Sequence, residues 1–123
     1  MKKIDTKNAP GAIGPYSQGF IINNIIYTSG QIPVNPENGE IGETIEEQAR
    51  QSCLNVKAII EEGGSNLQNV FKTTCFLADM KDFVKFNNVY AEFFTSNPAR
   101  SCVAVKELPK GVLCEIEAMA IIK

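Results

Sequence analysis

The side chains able to do chemistry are few, and their spacing narrows what that chemistry could be. Glu115 and Glu117 stand two residues apart in a C-terminal run of alternating character. On a strand they share one face, roughly 7 Å apart. Such a pair could serve acid–base catalysis in a glycosidase or simply line a solvent-facing strand. Arg100 follows Pro98-Ala99 at the start of another strand. A lone arginine is usually a surface residue, yet its planar fork is the best side chain for gripping a carboxylate. Tyr16, Ser17 and Gln18 follow Gly14-Pro15, a fixed turn that they could cap or that could present them to a ligand. Gly30, in Thr28-Ser29-Gly30-Gln31, could admit a ligand close to the backbone or merely end a strand. Asn87 lies one turn before Tyr90 on an aromatic helix side, where it either braces packing or serves a site.

Several chemistries are excluded or disfavoured. There is no histidine among the 123 residues, so Ser-His and Cys-His nucleophile systems and His-ligated metal sites are ruled out. The cysteines Cys53, Cys75, Cys102 and Cys114 form no CxxC pair. There is no Walker motif and no GxGxxG. Twelve basic against fourteen acidic residues give a net charge of -2, which disfavours generic nucleic-acid binding. Lys2, Lys3 and Lys7 read as a solvated end rather than a binding arm. The N-terminal ten residues have a basic start but no apolar core of a signal peptide, and no apolar run approaches the ~18 residues of a membrane span. The expectation is a reduced, cytoplasmic protein whose cysteines are mostly core residues.

The elements that must position these residues can be read from periodicity and punctuation. The length suits one domain, 1–123, with no repeat, linker or low-complexity tract. Phe20–Ile22 and Ile25–Tyr27 flank Asn23-Asn24, which suits a two-residue primed turn and a hairpin. Residues 29–42 are rich in proline and glycine and read as a long irregular stretch, with a tight turn at Pro36–Gly39. Thr44 and Glu47 make a capping box, followed at helical spacing by Ile45, Ala49, Cys53, Val56 and Ile60. Gly63-Gly64 stops that helix through a left-handed cap. Val70–Leu77 reads as a strand, and Asp79 as the N-cap of a second helix to about Phe94. Its stripe of Phe83, Phe86, Tyr90, Phe93 and Phe94 reads as core. Strands over 101–105 and 113–122 finish the chain. In the last, Cys114, Ile116, Ala118 and Ala120 share one face, and Glu115, Glu117 and Met119 the other. The order implies an α+β fold, a mixed sheet with two helices packed on one face. The other face needs a cover, and another subunit is the natural one.

Taken together, Gly14–Gln18, Ser29–Pro33, Gly39-Glu40, Asn87–Phe94, Pro98–Ser101 and Glu115–Ala118 form an ordered series along nearly the whole chain. That series resembles the Rid family of reactive-intermediate deaminases, also called the YjgF family. Arg100-Ser101-Cys102 and Glu115-Ile116-Glu117-Ala118 are similar to the enzymatically active RidA subfamily. The resemblance implies a chorismate-mutase-like α+β fold and a homotrimer whose three sheets line a central barrel, with sites in the clefts between subunits. It implies that Arg100 binds the substrate carboxylate and that Glu115 binds and polarises the attacking water. It also implies that Tyr16, Ser29, Gly30, Asn87 and the Cys102 backbone complete the pocket, the neighbouring Asn88 leaving a one-residue ambiguity.

The reaction so implied is hydrolysis of 2-imino acids, such as 2-iminopropanoate and 2-iminobutanoate, to 2-keto acids and ammonia. A protonated imine is already electrophilic, so the expected enzyme needs no metal, cofactor or covalent nucleophile. The alternative is a non-catalytic trimer that binds a keto or amino acid in a regulatory or chaperone-like role. Ribonuclease or translation-inhibitor activity is weakened by the acidic pI of about 5.2 and the lack of a basic face.

Overall fold

The computed structural model describes residues 1–123. Six strands form one sheet: β1 (Lys2–Ile4), β2 (Gly19–Ile22), β3 (Ile25–Thr28), β4 (Val70–Leu77), β5 (Ala99–Ala104) and β6 (Cys114–Ile121). Two helices, α1 (Ile45–Glu62) and α2 (Phe83–Phe93), complete the elements. The sheet order is β1-β2-β3-β6-β4-β5. Only β4 and β5 run parallel, and α2 forms their crossover, so the sheet is mixed. No helix is long and apolar enough to cross a membrane.

Local chemistry accounts for most boundaries. Asn23 and Asn24 have φ of 50° and 62°, the left-handed pair that a type I′ hairpin turn requires. Thr44 accepts a hydrogen bond from the Glu47 amide, and the Glu47 carboxylate accepts one from the Thr44 amide, closing the capping box. The C-terminal arrangement differs in detail from the sequence expectation. Gly63 is right-handed at φ −76°, and the left-handed residue is Gly64, at φ +93°.

Three other elements depart from the sequence reading. Residues 2–4, read as a solvated end, form edge strand β1 against β2, with Ile4 buried beneath it. Asp79 caps a 3-10 turn over Met80–Asp82, and α2 begins only at Phe83. β5 begins and ends earlier than 101–105, because its pairing with β4 starts at Lys72↔Ala99.

Both helices cover one sheet face. Ala49, Cys53, Val56, Ile59 and Ile60 of α1 pack over Ile26, Cys114, Ile116, Ala118 and Ala120, all buried. From α2 and its C-cap, Phe86 packs tilted against Tyr90, which stacks on Phe94, with ring centroids 5.9 and 4.5 Å apart. The opposite face carries Ile22, Tyr27, Val103 and Ile121, all exposed, with Glu115, Glu117, Lys72 and Thr74 among them.

Candidate active site

Two clusters form, one on each face of the sheet. On the helix side, Arg100 projects from edge strand β5. Its Nη1 donates to Asn87 Oδ1 at 2.8 Å, and its guanidinium lies 4.8 Å from the Tyr90 ring centroid and 5.5 Å from that of Phe83. Asn87 is half-buried and Asn88 exposed, so the partner of Arg100 is Asn87. Tyr90 is held by a 2.7 Å hydrogen bond to Thr73. Burial pushes its phenol up to about 12, so the ring stays neutral beside the cation. An open pocket is lined by Asn87, Tyr90, Ala91, Asn97, Pro98 and Arg100. The one ion pair in the chain is Arg50–Glu92, so Arg100 has no carboxylate partner. A half-buried, forked cation surrounded by neutral groups is an anion receptor in waiting.

On the open side, Glu115 lies beneath the 29–31 loop. After Tyr27↔Met119 the chain leaves β6 and returns at Gln31↔Ile116, with one more residue on the β3 side than on the β6 side. This is a β-bulge, a device concentrated next to active sites. Gln31 and Ile116 exchange both backbone hydrogen bonds, at 2.7 and 3.1 Å. Thr28 Oγ1 accepts from the Ala118 amide at 3.0 Å, where β3 no longer reaches β6. The bulge sets Gly30 directly over the Glu115 carboxyl, so that a Cβ there would collide with Oε2 and meet Cδ at 2.9 Å. Glycine is required here by space. Ser29 donates through Oγ to the Ser17 carbonyl at 2.5 Å and through its amide to the Gln18 carbonyl at 2.8 Å.

The 14–18 segment, to which Ser29 is bonded, carries Tyr16, exposed at 55%. It is anchored by Gln18, a buried amide that bonds Thr6 N, Thr6 O, Ala9 O and Pro10 O at 2.7 to 3.3 Å. Desolvation, then the charge of Glu117, raises the Glu115 carboxyl above the ordinary carboxylate range. A raised carboxyl is, once ionised, a stronger base than an ordinary one.

Arg100 pairs with Thr73, which pairs with Ala118 on the helix face, whereas Glu115 pairs with Phe76 on the open face. One chain therefore brings Arg100 to Asn87, and Glu115 to Gly30 and Ser29, but holds the two clusters on opposite sides of the sheet. Cys102 lies on the Arg100 side, opposite Cys75. A larger groove between α1 and residues 35–37 contains none of these residues. The clasp made by Gln18 on residues 6–10 and the flanking of Arg100 by the Tyr90 and Phe83 rings go beyond the turn-capping and core roles read for these residues. A glutamine just after a Gly-Pro turn and aromatics at three- and four-residue spacing from Asn87 were the available signals. No three His, Cys, Asp or Glu side chains converge in a metal-binding arrangement.

The α+β fold and the sequence together place the chain in one class, the Rid, or YjgF, family. The family model described as endoribonuclease L-PSP matches residues 6–122. Escherichia coli 2-iminobutanoate/2-iminopropanoate deaminase is 53% identical, with 98% of this chain and 97% of that protein covered. A Lactococcus lactis protein named as a regulator, AldR, is 54% identical over 100% of this chain and 99% of its own. The crystal structure of Escherichia coli TdcF with bound serine superposes with a TM-score of 0.96 at 47% identity, covering 100% of both chains.

Proposed function

We propose that this chain, a single Rid-type domain over 1–123, hydrolyses 2-imino acids such as 2-iminopropanoate and 2-iminobutanoate to 2-keto acids and ammonia. The sites lie between subunits of a cytoplasmic homotrimer. The observation that carries the reading is Arg100: a forked cation without a carboxylate partner, on the opposite face of the sheet from Glu115. A site using both residues needs Arg100 from one copy and Glu115 from the next. The identity to the Escherichia coli deaminase supports the same chemistry.

In this reading Arg100 holds the substrate carboxylate by two parallel hydrogen bonds. Asn87 and the Tyr90 and Phe83 rings fix the plane of the fork. Tyr16, Ser29, Gly30 and the Cys102 backbone of the assembled cleft enclose the rest of the molecule. Glu115 accepts a proton from the attacking water as its oxygen bonds to the imine carbon. It then gives that proton to nitrogen and takes the proton of the new hydroxyl as that oxygen becomes the carbonyl, the C–N bond breaks, and ammonia leaves a 2-keto acid. A carboxyl raised from its ordinary value is better matched to both roles than a free glutamate, since an acid–base catalyst gains as its pKa approaches the operating pH. General acid–base catalysis is worth ~10²–10⁴ in rate, and fixing the substrate beside the water supplies more.

The test couples a threonine dehydratase to the purified chain and follows 2-ketobutyrate. The expected result is faster appearance, proportional to the amount of chain added. A second reading, a non-catalytic keto- or amino-acid-binding regulator, draws on the likeness to AldR. Saturable binding of 2-ketobutyrate with no acceleration would favour that reading and overturn the first.

A further inference from the structure

Hydrolysis makes no use of the cysteine thiols, yet two of them are paired by the fold. Cys75 and Cys102 are Cα partners across the parallel strands β4 and β5. Partners in parallel register project to the same face, here the side of the sheet bearing Arg100. Neighbouring strands lie about 4.8 Å apart, within the ~4.4–6.8 Å Cα separation that a disulfide spans. The two thiols are also unequal. Cys75 is fully buried, whereas Cys102 is half-buried. The neighbouring Cys75, then the Arg100 guanidinium, holds the Cys102 thiol below its ordinary value despite partial burial. The same pairing, together with burial, pushes Cys75 far upward. The reachable sulfur is thus Cys102 and the sheltered one Cys75, the arrangement of an attacking and a resolving cysteine. Cys53 and Cys114 are both fully buried, and burial raises each thiol.

We infer that Cys102 and Cys75 form a redox couple, in which Cys102 reacts with hydroperoxides and Cys75 resolves the product into an intrachain disulfide. In the first step the Cys102 thiolate attacks a peroxide oxygen. The S–O bond forms, the O–O bond breaks, and the departing alkoxide or hydroxide takes a proton from water. In the second, the Cys75 sulfur attacks the sulfenic sulfur. The S–S bond forms, the S–O bond breaks, and hydroxide leaves as water with the Cys75 proton. Two thiols lose two electrons and the hydroperoxide gains them.

The couple protects the anion receptor. A sulfenic acid left unresolved proceeds to sulfinic acid, which thiols do not reverse. That fixed anion, two residues from Arg100 on the same face, would occupy the guanidinium that has no carboxylate partner. The disulfide is neutral and thiols reopen it.

The experiment treats the full chain with hydrogen peroxide, blocks residual thiols, and maps peptides without reductant. The expected product has lost about 2 Da, with Cys75 and Cys102 peptides joined, and dithiothreitol restores the starting mass. Cys75→Ala should keep its basal turnover before treatment but gain about 32 Da at Cys102 afterwards, which dithiothreitol does not remove. An unreacted Cys102, oxygen added to it in the wild-type chain without a cross-link, or a disulfide through Cys53 or Cys114 would each overturn the inference. If Cys75→Ala folds poorly, the wild-type cross-link map decides alone. Because the cross-link is read by mass, it stands or falls separately from imine hydrolysis.

Discussion

Arg100 separates charge from orientation. Lysine keeps the charge but can neither reproduce the fork nor keep the Asn87 bond and the stack on Tyr90 together. Arg100→Lys is expected to lower kcat/KM at least about tenfold, or ~1.4 kcal/mol of transition-state stabilisation. Arg100→Ala should fall further and lose 2-ketobutyrate binding in a calorimetric titration. Wild-type kinetics in Arg100→Ala would remove the anchor from the scheme. Glu115→Gln should bind 2-ketobutyrate and fail to turn over imine. The neighbouring Glu117 affords a subtler measurement, because its charge is the second cause of the raised Glu115 carboxyl. A base must be ionised, so the acid limb of kcat/KM should lie above the ordinary glutamate value of about 4.3. Removing the Glu117 charge lowers the Glu115 value, so Glu117→Gln should move that limb to lower pH while leaving the plateau within a few-fold of wild type. A limb that stays in place, or moves up, would contradict the assignment of Glu115 as the titrating base.

The bulge between Tyr27 and Gln31 is the element on which Glu115 depends. Gly30→Ala would set a methyl group into the Glu115 carboxyl, and the carboxyl would have to leave its position. The expected result is a loss of kcat/KM of about tenfold or more with little change in the thermal midpoint, since Gly30 has an ordinary φ and the surrounding backbone pairs are unaffected. A fully active Gly30→Ala would mean that the position of Glu115 is not set by the loop. Elements fixed by local chemistry were legible in the sequence: the Asn23-Asn24 hairpin, the Thr44 capping box, the alternation of β6. Elements fixed by distant partners were not. Lys2–Ile4 is too short and too charged to declare a strand, and exists because β2 supplies an edge. The types of the site residues could be read, and the family pattern ordered them. Which face each occupies depends on the β4–β5 and β4–β6 registers, which no local signal encodes. The choice of Asn87 over Asn88 likewise waited on where α2 meets β5.

At the scale of the molecule, the open sheet face is what the proposed trimer would cover. Ile22, Tyr27, Val103 and Ile121 are exposed there, and the two site clusters stand back to back across the sheet. Size exclusion with light scattering should give about three times 13.5 kDa. A stable monomer would remove the shared site. Complementation tests that sharing directly. Arg100→Ala and Glu115→Gln, each inactive alone, should regain activity when refolded together. In an equal mixture, about a quarter of the clefts join an intact Arg100 to an intact Glu115. If both residues served a site within one chain, the mixture would stay inactive.

The position of β6 also bears on how the protein is made. It is the last of the six strands in the chain, yet it lies between β3 and β4. Until the ribosome has delivered it, β1-β2-β3 and β4-β5 cannot join into one sheet, and the edges of β3 and β4 where β6 inserts have no partner. Synthesis proceeds at roughly 5–20 residues per second, so a nascent chain passes through seconds in which both edges are open. Such edges invite pairing with other chains, and nascent copies on one message are close at hand. Chaperone dependence should therefore concentrate before β6 emerges, and substitutions that delay its insertion should reduce soluble yield more than they reduce the stability of the finished fold.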